Sequence, residues 1–368
     1  MKKVMFFINT LAGGGAEKVL VDLLGLMPKD KYQFTVITVE GGEYVKKIPE
    51  YVEYKQIVRF KNKRIAALIN RIIQHLPYSL FAKLFLKENY DIEVAYLPGF
   101  PTHIIAKKKT DGKKITFIHG KVTKESMPSL RYKSLTDCYR EHCGFDKVCV
   151  VSNNAKESLE NAIGKLPNSM VLYNIIDVDC VRMKANEKCD EEFLTDGLKI
   201  VSLGRLTRIK GYERLIRAVS KLEREHSFEI WILGQGDERE KLETLIRELN
   251  VKSIKLLGFK SNPYSYLAKA DLYLCSSYSE GYSTATFEAV ALGLPVLTTD
   301  CSGTREILED GKFGLITENS EEGIYDGLKK LLEDKELLKA YREEAIKCRK
   351  VNYTKEAIDG YMRLFDNI

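Results

Sequence analysis

Nowhere in this 368-residue chain does an apolar run approach the ~20 residues that a membrane-spanning helix needs. Stretches such as Ala289 to Leu292 and Leu294 to Leu297 break off far short of it. A secretory leader is not expected either. Val4 to Ile8, behind Lys2 and Lys3, is too short for the ~7-residue minimum of a signal core, and polar Asn9 ends it. It reads as a first buried strand in a cytoplasmic protein. No C-x-x-C pair is present among the eight cysteines. Cys138, Cys143 and Cys149 cluster near His142, but without ligand spacing a zinc site is not expected. Reduced thiols, several of them buried, are the expectation. G-x-G-x-x-G and G-x-x-x-x-G-K-[ST] are absent, as are short repeats. With 44% hydrophobic and 30% charged residues, the chain is neither disordered nor collagen-like nor a disulfide scaffold.

What is present is an alternation. The length suits two domains at roughly 150 residues each. Val4 to Ile8, Phe34 to Val39, Ile92 to Leu97, Ile115 to Ile118, Lys147 to Val151 and Met170 to Tyr173 read as strands. Between the first two, Ala16, Val19, Leu20, Leu23, Leu24 and Met27 recur at helical spacing. The second half repeats the grammar with Lys199 to Leu203, Phe228 to Leu233, Ile254 to Leu257, Leu272 to Cys275, Pro295 to Thr298 and Gly314 to Ile316. Strands separated by helices predict two doubly wound α/β domains with parallel sheets. The charged stretch Met183 to Gly197 is the expected join, dividing residues 1–184 from 185–352. A last helix, 353–368, follows a break near Val351 and Asn352.

The net charge of +6 conceals a division. Residues 1–184 hold 30 Lys and Arg against 19 Asp and Glu, while residues 185–368 hold 28 against 33. A basic half joined to an acidic one points to nucleic acid or an anionic membrane. Tyr54 to Lys87 contains no acidic residue. Its Lys55, Arg59, Lys61, Lys63, Arg64, Arg71, Lys83 and Lys87 interleave with Ile65, Leu68, Ile69, Ile72, Ile73, Leu76, Leu80, Phe81, Leu84 and Phe85. That pattern predicts an interfacial helix pair on an anionic leaflet. Lys107 to Lys109, Lys113, Lys114, Lys121 and Lys124 form a second basic zone. Nucleic acid is not the expected partner, since the basic residues alternate with aliphatics and no recognition motif accompanies them.

Ligands of open α/β sheets bind beyond the C-terminal strand ends. After the first strand comes Gly13-Gly14-Gly15-Ala16-Glu17, a phosphate-facing loop or simply a tight turn. His119-Gly120 ends another strand, where the imidazole faces a ligand or serves the structure. Gly204 to Gly211 places Arg205 and Lys210 between a strand and a helix, a fork and a point charge that suit a diphosphate. Surface charges at a loop would look the same. Gly234-Gln235-Gly236 signals only a tight turn. Glu280 and Glu288 stand eight apart, with Gly281 opening a turn and Ser283 or Thr284 placed to cap a helix through Glu288. Carboxylates there suit a hydroxyl-rich ligand, though such pairs also arise by chance. Asp177-Val178-Asp179 reads as turn and cap chemistry rather than a metal site.

Taken together, these residues resemble the retaining glycosyltransferases of family 4, of bacterial cell-surface polysaccharide type. The strongest element is Glu280 with Glu288, inside a run reaching Gly293-Leu294-Pro295-Val296 and Gly303-Thr304-Arg305-Glu306. Gly14-Gly15-Ala16-Glu17, Gly204-Arg205-Leu206 with Lys210-Gly211, Val151-Ser152-Asn153, Asn174 with Asp177, and Gly258-Phe259 match in order. The resemblance implies the GT-B fold, two Rossmann-like domains facing a central cleft. It implies that Arg205 and Lys210 grip the donor diphosphate, with Gly204 beside them. Glu288 would accept from the donor ribose, Glu280 would contact the transferred sugar, and His119 would reach that sugar. Gly14 and Gly15 would approach the diphosphate or acceptor. Gly258 and Phe259 would line the base pocket, and Gly281, Ser283 and Thr284 the loop over the donor. The terminal helix would return to the first domain. Tyr282, Thr284 and Thr286 depart from the small-apolar version of the loop, a difference expected to tune the sugar.

The expected function is therefore metal-independent transfer of a sugar, with retention, from a nucleotide sugar, UDP-linked by expectation. The expected acceptor is a lipid-linked saccharide of capsule, exopolysaccharide or O-antigen. No cofactor is expected beyond that donor, and no metal. The expected location is the inner face of the cell membrane, held peripherally through residues 55–87. A sugar-nucleotide epimerase of GT-B shape and a non-catalytic membrane-associated binding protein are the alternatives.

Overall fold

The computed structural model describes residues 1–59, 63–348 and 352–368. The chain divides into two compact units, Met1–Ile176 with Lys355–Ile368 (unit 1) and Asp177–Thr354 (unit 2). Unit 1 holds strands β1 (Lys2–Ile8), β2 (Tyr32–Thr38), β3 (Glu53–Gln56), β4 (Ile92–Ala95), β5 (Lys113–Ile118), β6 (Lys147–Val150) and β7 (Ser169–Val171). They pair in the order β3-β2-β1-β4-β5-β6-β7. Unit 2 holds β8 (Leu198–Leu203), β9 (Phe228–Leu233), β10 (Ile254–Gly258), β11 (Leu272–Cys275), β12 (Val296–Thr299) and β13 (Gly314–Thr317), ordered β10-β9-β8-β11-β12-β13. Every pairing is parallel. Each sheet starts in the middle, runs to one edge and then restarts towards the other, so a switch point lies beside β1 and beside β8.

The strands follow from apolar runs, because a parallel sheet is covered on both faces. Val4 to Ile8 is wholly buried, and so is every residue of β9. Even Glu229 is buried there, its carboxylate taking Lys255 Nζ, Trp231 Nε1 and the Leu194 amide, each at 2.7 Å. β3 was not expected. Its Glu-Tyr-Lys-Gln is an edge strand with no buried residue, so it carries no hydrophobic signal. Amphipathic helices fill the layers. Gly15–Leu26 buries Val19, Leu20, Leu23 and Leu24, and Tyr212–Leu222 buries Leu215, Ile216, Val219 and Leu222.

The division falls at Ile176/Asp177 rather than at the expected 184/185. Helix Val178–Ala185, capped by Asp177 Oδ1 accepting from the Cys180 amide at 2.8 Å, packs on helices Tyr264–Leu267 and Thr284–Ala291 of unit 2. The stretch expected as a free join is fastened to unit 2 as well. Phe193 stacks on Trp231 with centroids 3.6 Å apart, Tyr266 donates to Asp190, and Lys269 Nζ reaches Glu191 O at 2.9 Å. The break expected at Val351 lies outside the described residues.

The terminal helix Tyr353–Asp366 begins with Tyr353 against Phe287 of unit 2, at 4.1 Å. From Lys355 onward it belongs to unit 1. Tyr361 lies parallel to Phe117 at 6.0 Å, Phe365 meets Tyr32 at 5.6 Å, and Lys2 Nζ donates to Phe365 O at 2.7 Å.

Candidate functional site

In unit 2 the ends of β8, β9 and β10 are brought together by glycines. A Cβ on Gly234 would stand 1.8 Å from Gly204 O, and the Gly234 amide donates to Gly258 O at 2.8 Å. The pair of glycines read as a bare turn signal is thus a close backbone contact between strand ends. A Cβ on Gly204 would lie 3.0 Å from Lys210 Cε and from the Tyr212 hydroxyl. The Lys210 side chain therefore runs across Gly204 and ends 2.6 Å from Glu280 Oε1. Ser277 Oγ donates to the same oxygen at 2.5 Å. Burial acts to lower the Lys210 pKa, but Glu280 together with neighbouring Cys275 and Tyr212 outweighs it and the ammonium is held above its ordinary value. Arg205 is exposed and makes no side-chain hydrogen bond or ion pair among the described residues.

The Glu280–Glu288 run separates into loop and helix. Ser283 is the cap, its Oγ accepting from the Thr286 amide at 3.3 Å, and helix Thr284–Ala291 follows. Glu288, the fifth helical residue, is buried and accepts from the Tyr264 hydroxyl at 3.1 Å. Thr284 is half-buried, and Gly281 is buried. Phe259 leaves 47% of its surface open beside Gly258. Tyr282, one of the departures from the small-apolar loop, is turned inward. It is buried against Phe287 and Gly303, and Thr286 Oγ1 is turned onto Ser283 Oγ at 2.9 Å. Both side chains are committed to packing the helix start.

Sequence reasoning missed Arg214. It looked like one more basic residue on an amphipathic helix, yet only 4% of it is exposed, and it donates to Ser276 O and Ser277 O. Its signal was faint: a charged residue between Tyr212 and Leu215 on the face that the periodicity assigns to the core.

The unit 1 candidates stand apart from these in the chain. Gly14 precedes helix Gly15–Leu26 without a side-chain cap, and the Glu17 carboxylate folds back to where a Gly14 Cβ would point, 2.1 Å from it. His119 is packed between Tyr96, at 4.6 Å, and Phe117, at 5.8 Å. Burial pushes its imidazole down to about 4, a penalty that Asn174 and the Tyr96 backbone offset only in part. Both ring nitrogens are shielded and lack a hydrogen-bond partner of good geometry among the described residues. The ring is neutral at pH 7 and has hydrogen-bonding capacity left over.

The basic segment forms helices Lys63–Ile73 and Tyr78–Phe85. Ile73, Phe81 and Ala82 enter the unit 1 core, whereas Ile65, Leu68, Ile72, Leu80 and Leu84 stay 40–60% exposed beside Arg71, Lys83 and Lys87. Lys55 is committed elsewhere, to Glu53 at 3.0 Å and Glu88 at 2.7 Å. Lys61 lies outside the described residues. The second basic zone is partly internal: Lys108 is buried on Glu93, Lys113 pairs with Asp146 at 3.0 Å, and Lys114 Nζ donates to Lys108 O at 2.6 Å. Among the described residues no group of three or more His, Cys, Asp or Glu could hold a metal, and no helix is long and apolar enough to cross a membrane. Next to Cys143, His142 Nδ1 contacts Cys138 O at 2.8 Å, and burial pushes the Cys138 thiol up to about 12.

Two doubly wound units, the second with a glycine-crossed lysine on Glu280, an exposed arginine beside it and Glu288 in the helix that follows, can be set against known proteins. Residues 13–180 match Glycosyltransferase Family 4, and residues 184–348 match the glycosyl transferases group 1. Over 355 residues the chain is 31% identical to a Campylobacter jejuni protein, covering 94% of each. That protein is named N-acetylgalactosamine-N,N'-diacetylbacillosaminyl-diphospho-undecaprenol 4-alpha-N-acetylgalactosaminyltransferase. The chain belongs to the family 4, group 1 glycosyltransferases, with the GT-B fold. Its fold also matches Anabaena HepE in complex with UDP-glucose (TM-score 0.77, 17% identity, 100% of both chains). A further match is WaaG, a glycosyltransferase of lipopolysaccharide biosynthesis (TM-score 0.67, 19% identity, 98% of this chain and 99% of that one).

Proposed function

We propose that this glycosyltransferase moves a sugar, with retention and without a metal, from a UDP-sugar to a lipid-linked saccharide on an anionic membrane face. The products would belong to capsule, exopolysaccharide or O-antigen. The observation that carries the reading is Lys210 laid across Gly204 onto Glu280, with the uncompensated Arg205 at the same strand end. As the sugar C1–O bond breaks, the electron pair goes to the departing diphosphate. Lys210, held by Glu280, and the uncompensated Arg205 stabilise that charge where it develops, which is the work a metal would otherwise do. The acceptor hydroxyl then bonds to C1 on the face the diphosphate leaves, and its proton passes to the departing phosphate. Glu280 orients the transferred sugar and Glu288 accepts from ribose hydroxyls. In unit 1, His119 is neutral and short of partners, which suits it to a sugar hydroxyl. Gly258 and Phe259 line the base site. The Campylobacter relative's diphospho-undecaprenol-linked acceptor and the UDP-glucose on HepE support the choice of substrates. The exposed apolar side chains of helices Lys63–Ile73 and Tyr78–Phe85, set among basic residues, support the membrane face.

The test is UDP release by the purified protein, supplied with a panel of nucleotide sugars and a polyprenyl-diphosphate-linked saccharide. NMR reads the anomeric configuration of the product. UDP-sugar turnover that persists in EDTA and yields a retained linkage is expected. An inverted product, a requirement for added Mg²⁺, or full activity in both Lys210→Ala and Glu288→Ala would each remove the corresponding part of the proposal.

A further inference from the structure

We propose that Arg214 is a positioning residue. It pins the turn Ser276 to Tyr278 and thereby sets the Lys210–Glu280 pair, an inference that rests on that pair meeting the donor as proposed above. Nε and Nη2 donate to Ser276 O at 3.0 and 2.7 Å, and Nη2 also to Ser277 O at 2.8 Å and Asn319 Oδ1 at 2.6 Å. The guanidinium lies 3.9 Å from the centre of the Tyr278 ring. The same turn holds both members of the pair. Ser276 Oγ donates to Lys210 O at 2.9 Å, Ser277 Oγ donates to Glu280 Oε1 at 2.5 Å, and the Tyr278 amide donates to Ile209 O at 2.8 Å. Asn319 closes the frame by donating to Tyr278 O at 2.9 Å.

The arrangement suits an arginine better than a lysine. A planar fork spans two consecutive carbonyls and stacks on a ring, whereas an ammonium satisfies one such acceptor at a time. The placement is also costly. No carboxylate pairs with Arg214 among the described residues, so its buried charge is answered by carbonyl dipoles and a ring face alone. A helix needing only packing would carry a leucine there. Gly211 makes room for the arrangement: its φ is +65°, and a Cβ would stand 2.1 Å from Ser276 O and 2.8 Å from Arg214 Nε.

The experiment measures the UDP dissociation constant by calorimetry and UDP-glucose hydrolysis rates on the full chain, corrected for folded fraction. Arg214→Gln is expected to weaken UDP binding about tenfold and slow hydrolysis at least as much. Arg214→Lys should recover part of both. Asn319→Ala, at a half-buried side chain, should move both in the same direction by roughly threefold. A folded Arg214→Gln with wild-type UDP affinity and rate overturns the proposal. If that variant does not fold, wild-type values in Asn319→Ala overturn it. Lys210→Ala run alongside separates the two layers. Loss there with no change in Arg214→Gln removes only the positioning role. Wild-type behaviour in Lys210→Ala, or no UDP binding by the wild type, removes the underlying reading and this inference with it.

Discussion

At the end of β1 the chain turns through Gly13 to Gly15 and enters a helix whose first turn is faced by its own Glu17 carboxylate. At the equivalent end of β8 it turns through Gly204 and Arg205, and Lys210 is drawn back across the glycine to a partner from another strand end. Unit 1 repeats the strand order of unit 2 and adds β7, yet unit 2 sets Arg205 and Lys210 at its switch point, while Arg71, Lys83 and Lys87 of unit 1 lie on or beside its peripheral helices. Of the large apolar side chains exposed in unit 1, five fall between Ile65 and Leu84; those of unit 2 are scattered from Met183 to Ile346. A doubly wound sheet thus fixes where a ligand can bind, but not which half holds the charge that binds it.

The comparison can be broken most directly at Lys210. Lys210→Ala should lower kcat/KM by a hundredfold or more, about 3 kcal/mol, by the scale of a lost electrostatic group. A steady-state assay checks it, and a tenfold or smaller loss would mean that the charge of unit 2 is not where it matters. Second comes the backbone contact between strand ends. Gly234→Ala must push Gly204 O away and should cost roughly 2–4 kcal/mol in urea denaturation, because backbone cannot yield as a side chain can. Gly14→Ala displaces only the mobile end of Glu17 and should cost less than about 1 kcal/mol.

The next effect is a pH dependence seated in unit 1. His119 is depressed to about 4 in the folded protein, below its unfolded value of 6.5. Above pH 6.5 neither state is protonated there, and nothing is lost. As pH falls through 6.5 the unfolded chain takes up the proton first, so stability declines until about pH 4, by at most about 3 kcal/mol. His142, also depressed by burial, contributes with the same sign. His119→Gln should flatten the stability curve between those limits by its own share. Lys210, held above its ordinary value, keeps its charge throughout that range. The smallest effect is at the surface. Leu68→Glu with Ile72→Glu should cut retention on vesicles containing anionic lipid roughly tenfold and leave the circular dichroism unchanged, since both side chains are exposed.

The sheets were legible because buried parallel strands are written as apolar runs: Val4 to Ile8 and Phe228 to Leu233 could hardly be read otherwise. β3 was not, because an edge strand with no buried face needs no pattern. The Glu280, Ser283 and Glu288 arrangement was legible as loop, cap and helix because capping is local. The commitment of Tyr282 to packing was not, since its neighbour Gly303 lies far along the chain. Arg214 escaped for the same reason: its acceptors sit some sixty residues away, and local pattern marks it only as charged. That helix Val178–Ala185 packs on unit 2 was not legible, because its buried Val178 and Val181 do not announce which core they serve.

Tyr361 and Phe365, the side chains that cover Phe117, Tyr32 and Phe6, are synthesised after the whole of unit 2. The first unit, though made first, therefore cannot complete the packing around these rings until the last residues of the chain have been made.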